Sequence, residues 1–286
     1  MERGSVEYGG TIVDVEDLLR TAWRAGGKVM EIYGDEFGVD YKADDSPLTE
    51  ADRASHAVIV EGLEKYGLPL LSEEGKTIDY DERKGWKSFW MIDPLDGTKE
   101  FVKRNGEFTI NIALIHEGEP LFGVVYAPAI SLLYWTEEES AYKAVLEPER
   151  FELSAVEKLP LQRKRSDELT IVASRSHLNE ATREFIEHLG GDRRKRLTSI
   201  GSSLKLCLVA EGSADLYPRL APTMEWDTAA ADAVARKAGA RVCRYTSPDS
   251  LTHCEPLRYN KADLHNPFFV VGTAERCPHR ASTHLS

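Results

Sequence analysis

The stretch Trp90-Met91-Ile92-Asp93-Pro94-Leu95-Asp96-Gly97-Thr98 constrains this chain more than any other. Phe89 to Ile92 is an apolar run of strand length, and it ends in two carboxylates three residues apart around a proline. A turn there, running into a helix opened by Gly97-Thr98, lets Asp93 and Asp96 face one point with the Leu95 carbonyl between them. Hard divalent cations want such oxygen clusters, and Mg²⁺ is usually held by one or two carboxylates plus substrate phosphate. The backbone N–H groups after Asp96 point at the same place, as anion donors do at a helix N-terminus. The plain alternative is a Pro-Asp-Gly style turn, whose residues need no chemistry to explain them.

Three further acidic segments bear on that choice. Leu71-Ser72-Glu73-Glu74 sets a carboxylate pair just after a short apolar strand at Leu68 to Leu71, where a solvated loop is the alternative. Asp52 lies in Thr49-Glu50-Ala51-Asp52, where a capping contact with Thr49 would account for it. Asp227, in Trp226-Asp227-Thr228-Ala229-Ala230, stands at the start of an alanine-rich helix, where an N-cap would account for it. Each bland reading is respectable alone. Together they weaken, because every acid sits at an element's end, where catalytic residues collect.

Apolar residues recur at helical spacing over Val15 to Tyr33, with Gly34 as a stop, and Thr49 to Tyr66 reads as a second helix. Thr109 to Ile115, Pro120 to Ala127 and Leu132 to Thr136 read as strands, and their imperfect alternation suits a sheet covered on both faces. Pro148 to Asp167 is charged and includes the basic cluster Arg163-Lys164-Arg165; it reads as a linker with a solvated loop. Beyond it come strand Leu169 to Ser174, helix Glu180 to Leu189, helix Ser202 to Ala210, strand Ala214 to Tyr217 and helix Asp227 to Ala238. Mixed strands and helices in two halves predict an α/β layered sandwich.

The 286 residues carry a formal net charge of −12. That argues against a nucleic-acid surface, which needs a basic footprint, but not against a small phosphorylated substrate. No apolar run approaches the roughly 18 residues of a membrane span, and Met1 to Gly10 does not read as a secretory signal. Cys207, Cys243, Cys254 and Cys277 show no metal-site spacing and read as reduced thiols of a cytoplasmic protein.

Glu73-Glu74, Asp93-Pro94-Leu95-Asp96-Gly97-Thr98 and Trp226-Asp227-Thr228-Ala229-Ala230 resemble, in order and spacing, the three signatures of the inositol monophosphatase superfamily of Mg²⁺-dependent, lithium-sensitive phosphatases. The likeness runs from about Val15 to Gly272. Within the superfamily the chain is most similar to the bacterial CysQ-type 3′(2′),5′-bisphosphate nucleotidases. The segments that carry this narrower likeness are Lys99-Glu100-Phe101, Arg104-Asn105-Gly106-Glu107-Phe108-Thr109, Ser174-Arg175-Ser176-His177, Gly201-Ser202-Ser203-Leu204-Lys205 and Leu216-Tyr217-Pro218-Arg219. Inositol phosphatases usually have Thr-Asn-Phe where this chain has Lys-Glu-Phe.

The resemblance implies an αβαβα sandwich of the inositol monophosphatase and sugar phosphatase type. Residues 1–160 form an N-terminal α/β half with most metal ligands, 161–274 a C-terminal α/β half with Asp227 and the substrate contacts, and 275–286 a polar tail. It implies a first Mg²⁺ on Glu73, Asp93 and the Leu95 carbonyl, a second on Asp93, Asp96 and Asp227, and a third, loosely held ion at Glu73. Asp52 and Thr98 would orient or deprotonate the attacking water, and the backbone of Gly97 and Thr98 would meet the phosphate. Ser202, Lys205 and Arg219 are the implied nucleotide contacts; the last two have the chemistry for a 5′-phosphate, although Lys205 also reads as a solvated helix position. Ser174 to His177 borders the base or shapes the pocket. Lys99 and Glu100 lie near the reacting phosphate without an assigned role, and Glu225 adds a negative charge beside Asp227 as a spectator or a tuner of metal binding.

The implied reaction converts 3′-phosphoadenosine 5′-phosphate to AMP and phosphate, and 3′-phosphoadenylyl sulfate to adenylyl sulfate, by direct attack of water. An inositol or sugar-phosphate monophosphatase on the same fold is the nearest alternative. A catalytically silent binding or regulatory relative is the alternative of another class. The expected partner is a small nucleotide, with neither nucleic acid nor an integral membrane segment, and oligomeric state is not readable from the sequence.

Overall fold

The computed structural model describes residues 4–35, 38–41, 47–162, 167–173, 179–189, 193–247 and 250–273. Arg163-Lys164-Arg165, Ser174 to His177, Cys277 and the polar tail lie outside the described residues.

A hairpin, β1 (Ser5–Tyr8) and β2 (Thr11–Asp14), leads into α1 (Val15–Gly34). The Asp14 side chain caps the helix by accepting from Asp17 N at 3.1 Å, and Glu16 and Asp17 set negative charge against the positive end of its dipole. A short pair, β3 (Val39–Tyr41) and β4 (Pro47–Thr49), precedes α2 (Glu50–Leu63), whose continuation tightens into a 3₁₀ turn over Glu64–Tyr66. Next come β5 (Leu70–Ser72), α3 (Tyr80–Arg83), β6 (Ser88–Asp96), α4 (Thr98–Val102), β7 (Thr109–His116), β8 (Glu119–Ala127), β9 (Leu132–Glu137), β10 (Ser140–Leu146) and β11 (Leu153–Lys158). After a crossover follow β12 (Leu169–Ala173), α5 (Glu180–His188), β13 (Lys195–Ser199), α6 (Leu204–Ala210), β14 (Leu216–Arg219), α7 (Ala229–Lys237), β15 (Arg241–Arg244) and β16 (Phe269–Gly272).

Two sheets organise these elements. The first runs β11-β10-β9-β8-β7-β6-β5 and is antiparallel except for the parallel β5–β6 pair; the second runs β13-β12-β14-β16-β15. Strand alternation sends Trp90, Ile92, Ile112, Leu114, Val124 and Tyr126 into one core with Leu18, Leu19 and Val29 of α1 and Ile59 of α2. The opposite face sends Phe89, Met91, Ala113, Ile115 and Val125 into a second core with α6 and α7, which Tyr217, Phe269 and Val271 of the second sheet close. A third core packs Phe185 and Ile186 of α5 on Leu169, Ile171, Leu216 and Val270. The layers are therefore αβαβα, as expected. Contact between β8 and α7 is close enough that a Cβ on Gly123 would collide with the Ala230 carbonyl, so only glycine fits there.

Several expectations need correction. The linker expected over 148–167 contains β11, an edge strand exposed along most of its length, whose Leu-Ser-Ala-Val-Glu-Lys sequence lacks an apolar stripe. Ser202 stands outside α6 with φ +49. The helix expected from Asp227 starts at Ala229, and the N-cap residue is Thr228. Cys243 and Cys254 are not reduced thiols: β15 and the loop after it bring their Cα atoms to 5.1 Å, within disulfide range, and the bond is formed. Cys207 is free and buried.

Candidate active site

The acidic corner is a bulge rather than a turn that leaves the sheet. β6 continues to Asp96, with Asp93 opposite Asn111 and Asp96 opposite Thr109, so the register slips between the two acids. In a regular strand, residues three apart face opposite sides; here partners two apart on β7 put both acids on one face. Leu95 N donates to Asp93 Oδ1 at 3.0 Å, folding the bulge back on the first carboxylate. Glu73 arrives from β5, whose parallel register pairs Ser72 with Ile92, so Glu73 and Asp93 leave adjacent strand ends together. Ser72 is steadied by a 2.9 Å hydrogen bond between its hydroxyl and His56 Nδ1, and Glu74 N donates to the same hydroxyl at 3.2 Å.

These carboxylates work against one another electrostatically. Burial, then the charges of Glu73, Asp96 and Asp227, push the Asp93 carboxyl well above its ordinary range. A side-chain interaction with Glu73 adds to that upward push. Asp227 is pushed up to about 8 by burial, then by Asp96 and Glu73. It is not an N-cap, since its Oδ2 accepts from Met224 N at 2.9 Å, and that leaves the helix-start account of this residue without support.

Asp52 makes both the capping contact and a contact with Thr98. Its Oδ2 completes the capping box, accepting from Thr49 N at 2.7 Å and Thr49 Oγ1 at 2.6 Å. Its Oδ1 lies 3.2 Å from Thr98 Oγ1, which is also 3.3 Å from the Leu95 carbonyl oxygen. The cap thus fixes the carboxylate that the threonine hydroxyl addresses. One turn on, Ser55 Oγ donates to the Pro94 carbonyl at 2.7 Å, pinning α2 to the bulge.

Facing the acids is a cavity of about 280 Å³ whose lining includes Asp96, Gly97, Glu100, Glu107, Ser202, Lys205, Tyr217, Arg219, Thr223 and Asp227. Lys205 is not a solvated helix position: it is buried, with Nζ 2.6 Å from the Ser202 carbonyl oxygen and 3.4 Å from that of Ile200. Burial lowers its pKa to about 8 against the raising pull of Asp96. Arg219 Nη2 donates to the Pro222 carbonyl at 2.7 Å. Ser202 Oγ and Arg219 Nε are buried without a hydrogen-bond partner among the described residues. The N-terminal half closes this wall through Glu107, whose Oε2 accepts from Gly201 N at 2.8 Å. A Cβ on Gly201 would stand 2.5 Å from the Glu107 carbonyl oxygen, so a glycine is required at this joint.

The structure therefore gathers Asp96, Gly97, Ser202, Lys205, Arg219 and Asp227 about one cleft, while Asp93, Thr98, Glu73 and Asp52 stand beside its acidic side without lining it. Glu225 turns away from it. Buried, it accepts from Asn260 N at 2.6 Å, from Lys261 N at 3.0 Å and from the Lys261 ammonium, so its charge is neutralised where it ties down the loop after β15. Sequence reasoning passed over Glu107, Tyr217 and Thr223 as cavity walls. Only Gly106-Glu107 and Tyr217, inside segments already singled out, carried any signal.

Among the described residues, no group of three or more His, Cys, Asp or Glu side chains stands in a geometry ready to hold a metal. The donor chemistry nonetheless fits a hard divalent cation. The set is all oxygen, and burial together with the neighbouring carboxylates pushes Asp93 and Asp227 up, which positive charge would relieve.

Comparison with known proteins agrees. The model of the inositol monophosphatase family matches residues 14–270. The chain is 46% identical over 262 residues to the 3′(2′),5′-bisphosphate nucleotidase CysQ of Escherichia coli (strain K12), across 90% of this chain and 98% of that one. To the nucleotidase of the same name from Salmonella typhimurium it is 46% identical over 232 residues, 80% of this chain and 89% of the relative. The crystal structure of CysQ from Bacteroides thetaiotaomicron matches with a TM-score of 0.80 and 47% identity, covering 90% of this chain and 96% of that one.

Proposed function

The chain belongs to the inositol monophosphatase family, and on that premise we propose that it is a 3′(2′),5′-bisphosphate nucleotidase. It removes the 3′-phosphate of 3′-phosphoadenosine 5′-phosphate, and that of 3′-phosphoadenylyl sulfate. The observation that carries this reading is the juxtaposition, across one cavity, of the acidic bulge with buried Lys205 and half-buried Arg219. One region suits a reacting phosphate and its cations; the other suits a second phosphate several ångströms away. A simple monophosphatase has no use for the second.

Family membership implies dependence on a divalent metal. We assign two Mg²⁺ to Glu73, Asp93, the Leu95 carbonyl, Asp96 and Asp227, with a third, loosely held ion at Glu73. When bound, the cations supply Lewis acidity to the phosphoryl oxygens and stabilise charge on the leaving oxygen. The chain's own residues do the rest. Thr98 Oγ1 takes a proton from the attacking water as its own hydrogen passes to Asp52 Oδ1, which the Thr49 cap holds in place. A bond forms from water oxygen to phosphorus as the bond to the ribose 3′-oxygen breaks, and that oxygen leaves as an alkoxide that takes its proton from solvent water. N–H groups of Gly97 and Thr98 receive the phosphate, and Ser202, Lys205 and Arg219 hold the nucleotide, with Arg as a planar fork and Lys as a point charge.

Among the described residues no helix is long and apolar enough to cross a membrane. A substrate produced by sulfate activation supports a cytoplasmic setting; the Cys243–Cys254 bond does not.

The test is phosphate release from 3′-phosphoadenosine 5′-phosphate and from inositol 1-phosphate, each with Mg²⁺ and with EDTA. Strong Mg²⁺-dependent preference for the nucleotide is expected. Preference for inositol phosphate would keep the metal site and overturn the substrate.

A further inference from the structure

Behind the acidic bulge lie two buried polar side chains, Asn111 and Ser203, whose side chains the reaction above does not use. Asn111 stands on β7 opposite Asp93, and Ser203 immediately precedes α6; each is 1% exposed. Asn111 Nδ2 donates to Ser203 Oγ at 2.8 Å. That oxygen lies 2.8 Å from Asp96 Oδ2 and 2.7 Å from the Asp227 carbonyl oxygen. With one lone pair taken by Asn111, the hydroxyl's single hydrogen goes to one of these two acceptors, and the charged carboxylate is the stronger. An apolar pair would fill the same space without the expense of burying an amide and a hydroxyl.

We infer that Asn111 and Ser203 are positioning residues for the divalent metal. Together they tie Asp96, from the N-terminal half, to Ser203 at the head of α6 in the C-terminal half, beside the Asp227 backbone, so that both carboxylates reach a cation at once. Repulsion within the acidic set favours Asp96 rotating outward, and Thr109 Oγ1, 3.5 Å from Asp96 Oδ2, is too distant to prevent it. The relay opposes that rotation before any ligand arrives, as groups behind metal ligands commonly do. It rests on the metal-dependent reading of the site.

The test is Mn²⁺ binding, measured calorimetrically without nucleotide. Ser203→Ala is expected to weaken Mn²⁺ about tenfold, with KM for the nucleotide at saturating metal moving less than twofold. Asn111→Ala is expected to give a smaller loss, and the double variant a loss no larger than that of Ser203→Ala alone, because the two act in series. Mn²⁺ affinity within twofold of the native protein in Ser203→Ala, or losses that add in the double variant, would overturn the relay while leaving the metal site intact. A native protein that binds no Mn²⁺ would remove the metal site and the relay with it. If circular dichroism shows Ser203→Ala unfolded, Asn111→Ala decides: native affinity there sinks the relay.

Discussion

On the wall built by the ends of β5 and β6, burial and then the charges of Glu73, Asp96 and Asp227 push the Asp93 carboxyl well above its ordinary range. On the opposite wall, Lys205 is equally buried yet rests on the carbonyls of Ser202 and Ile200, and Arg219 rests on that of Pro222. The first wall is held in a like-charge arrangement that only an added counter-charge relieves. On the second, backbone carbonyls already hold Lys205 Nζ and Arg219 Nη2, while Ser202 Oγ and Arg219 Nε have no partner among the described residues. On the proposed function, charge marks a reactive surface on one side and a recognition surface on the other, and the two should fail differently when altered.

The comparison breaks most sharply at Asp93. Asp93→Asn keeps the shape and removes the central charge, so kcat is expected to fall on the order of 10³-fold, the scale for losing a main electrostatic stabiliser. Unchanged Mg²⁺-dependent turnover in that variant would mean the acidic wall holds no essential cation. Arg219→Ala tests the other wall. Losing charge-assisted bonds to the distal phosphate should raise KM for the bisphosphate about 10- to 100-fold, with turnover of adenosine 3′-monophosphate little changed; equal losses on both substrates would end the assignment. Raising the pH sharpens the same point more gently. Burial holds Lys205 near 8, so the free enzyme loses this charge as pH climbs past that value. Bisphosphate kcat/KM should then drop about tenfold by pH 9, while that of the 3′-monophosphate holds level. Parallel profiles would show that Lys205 does not read the second phosphate.

The acidic wall was the more legible in sequence, for a physical reason. Asp93, Asp96 and the Leu95 carbonyl are local, set by one proline-containing bulge, and Glu73 and Asp227 sit in short signatures of their own. Even there the mechanism of convergence was hidden: a register slip against β7 depends on a partner strand, and sequence offered a turn instead. The cationic wall was only half visible. Lys205 looked like any helix-surface lysine until α6 was seen to pack on the second sheet, with Lys205 Nζ 5.9 Å from the Tyr217 ring of β14, and the Gly201–Glu107 joint links residues 94 apart. Asp52 shows the limit from the other direction, since its capping role and its bond to Thr98 use different oxygens and neither excludes the other. The disulfide was missed because spacing says nothing about two cysteines that a strand and its following loop bring together.

The smallest effect separates the walls by stability. Asp227 has a folded pKa of about 8 against an ordinary value of 3.8, and Asp93 is displaced in the same direction. Between those limits the folded, metal-free protein keeps protons that the unfolded chain has released. Stability from these groups is therefore full below about pH 4 and is lost as pH rises through 8. In EDTA the melting temperature is expected to be lower at pH 8.5 than at pH 5.5, with each kcal/mol worth roughly 2–4 °C at this chain length. Saturating Mg²⁺ should reverse the trend by binding only the folded state. Asp227→Asn isolates the cause, because it removes the buried charge while keeping the side chain's size. That variant should melt above the native protein at pH 8.5 in EDTA and gain less from Mg²⁺, although it is catalytically impaired. If it melts below the native protein there, like-charge repulsion is not what distinguishes the acidic wall, and its carboxylates are held by contacts that stabilise the fold.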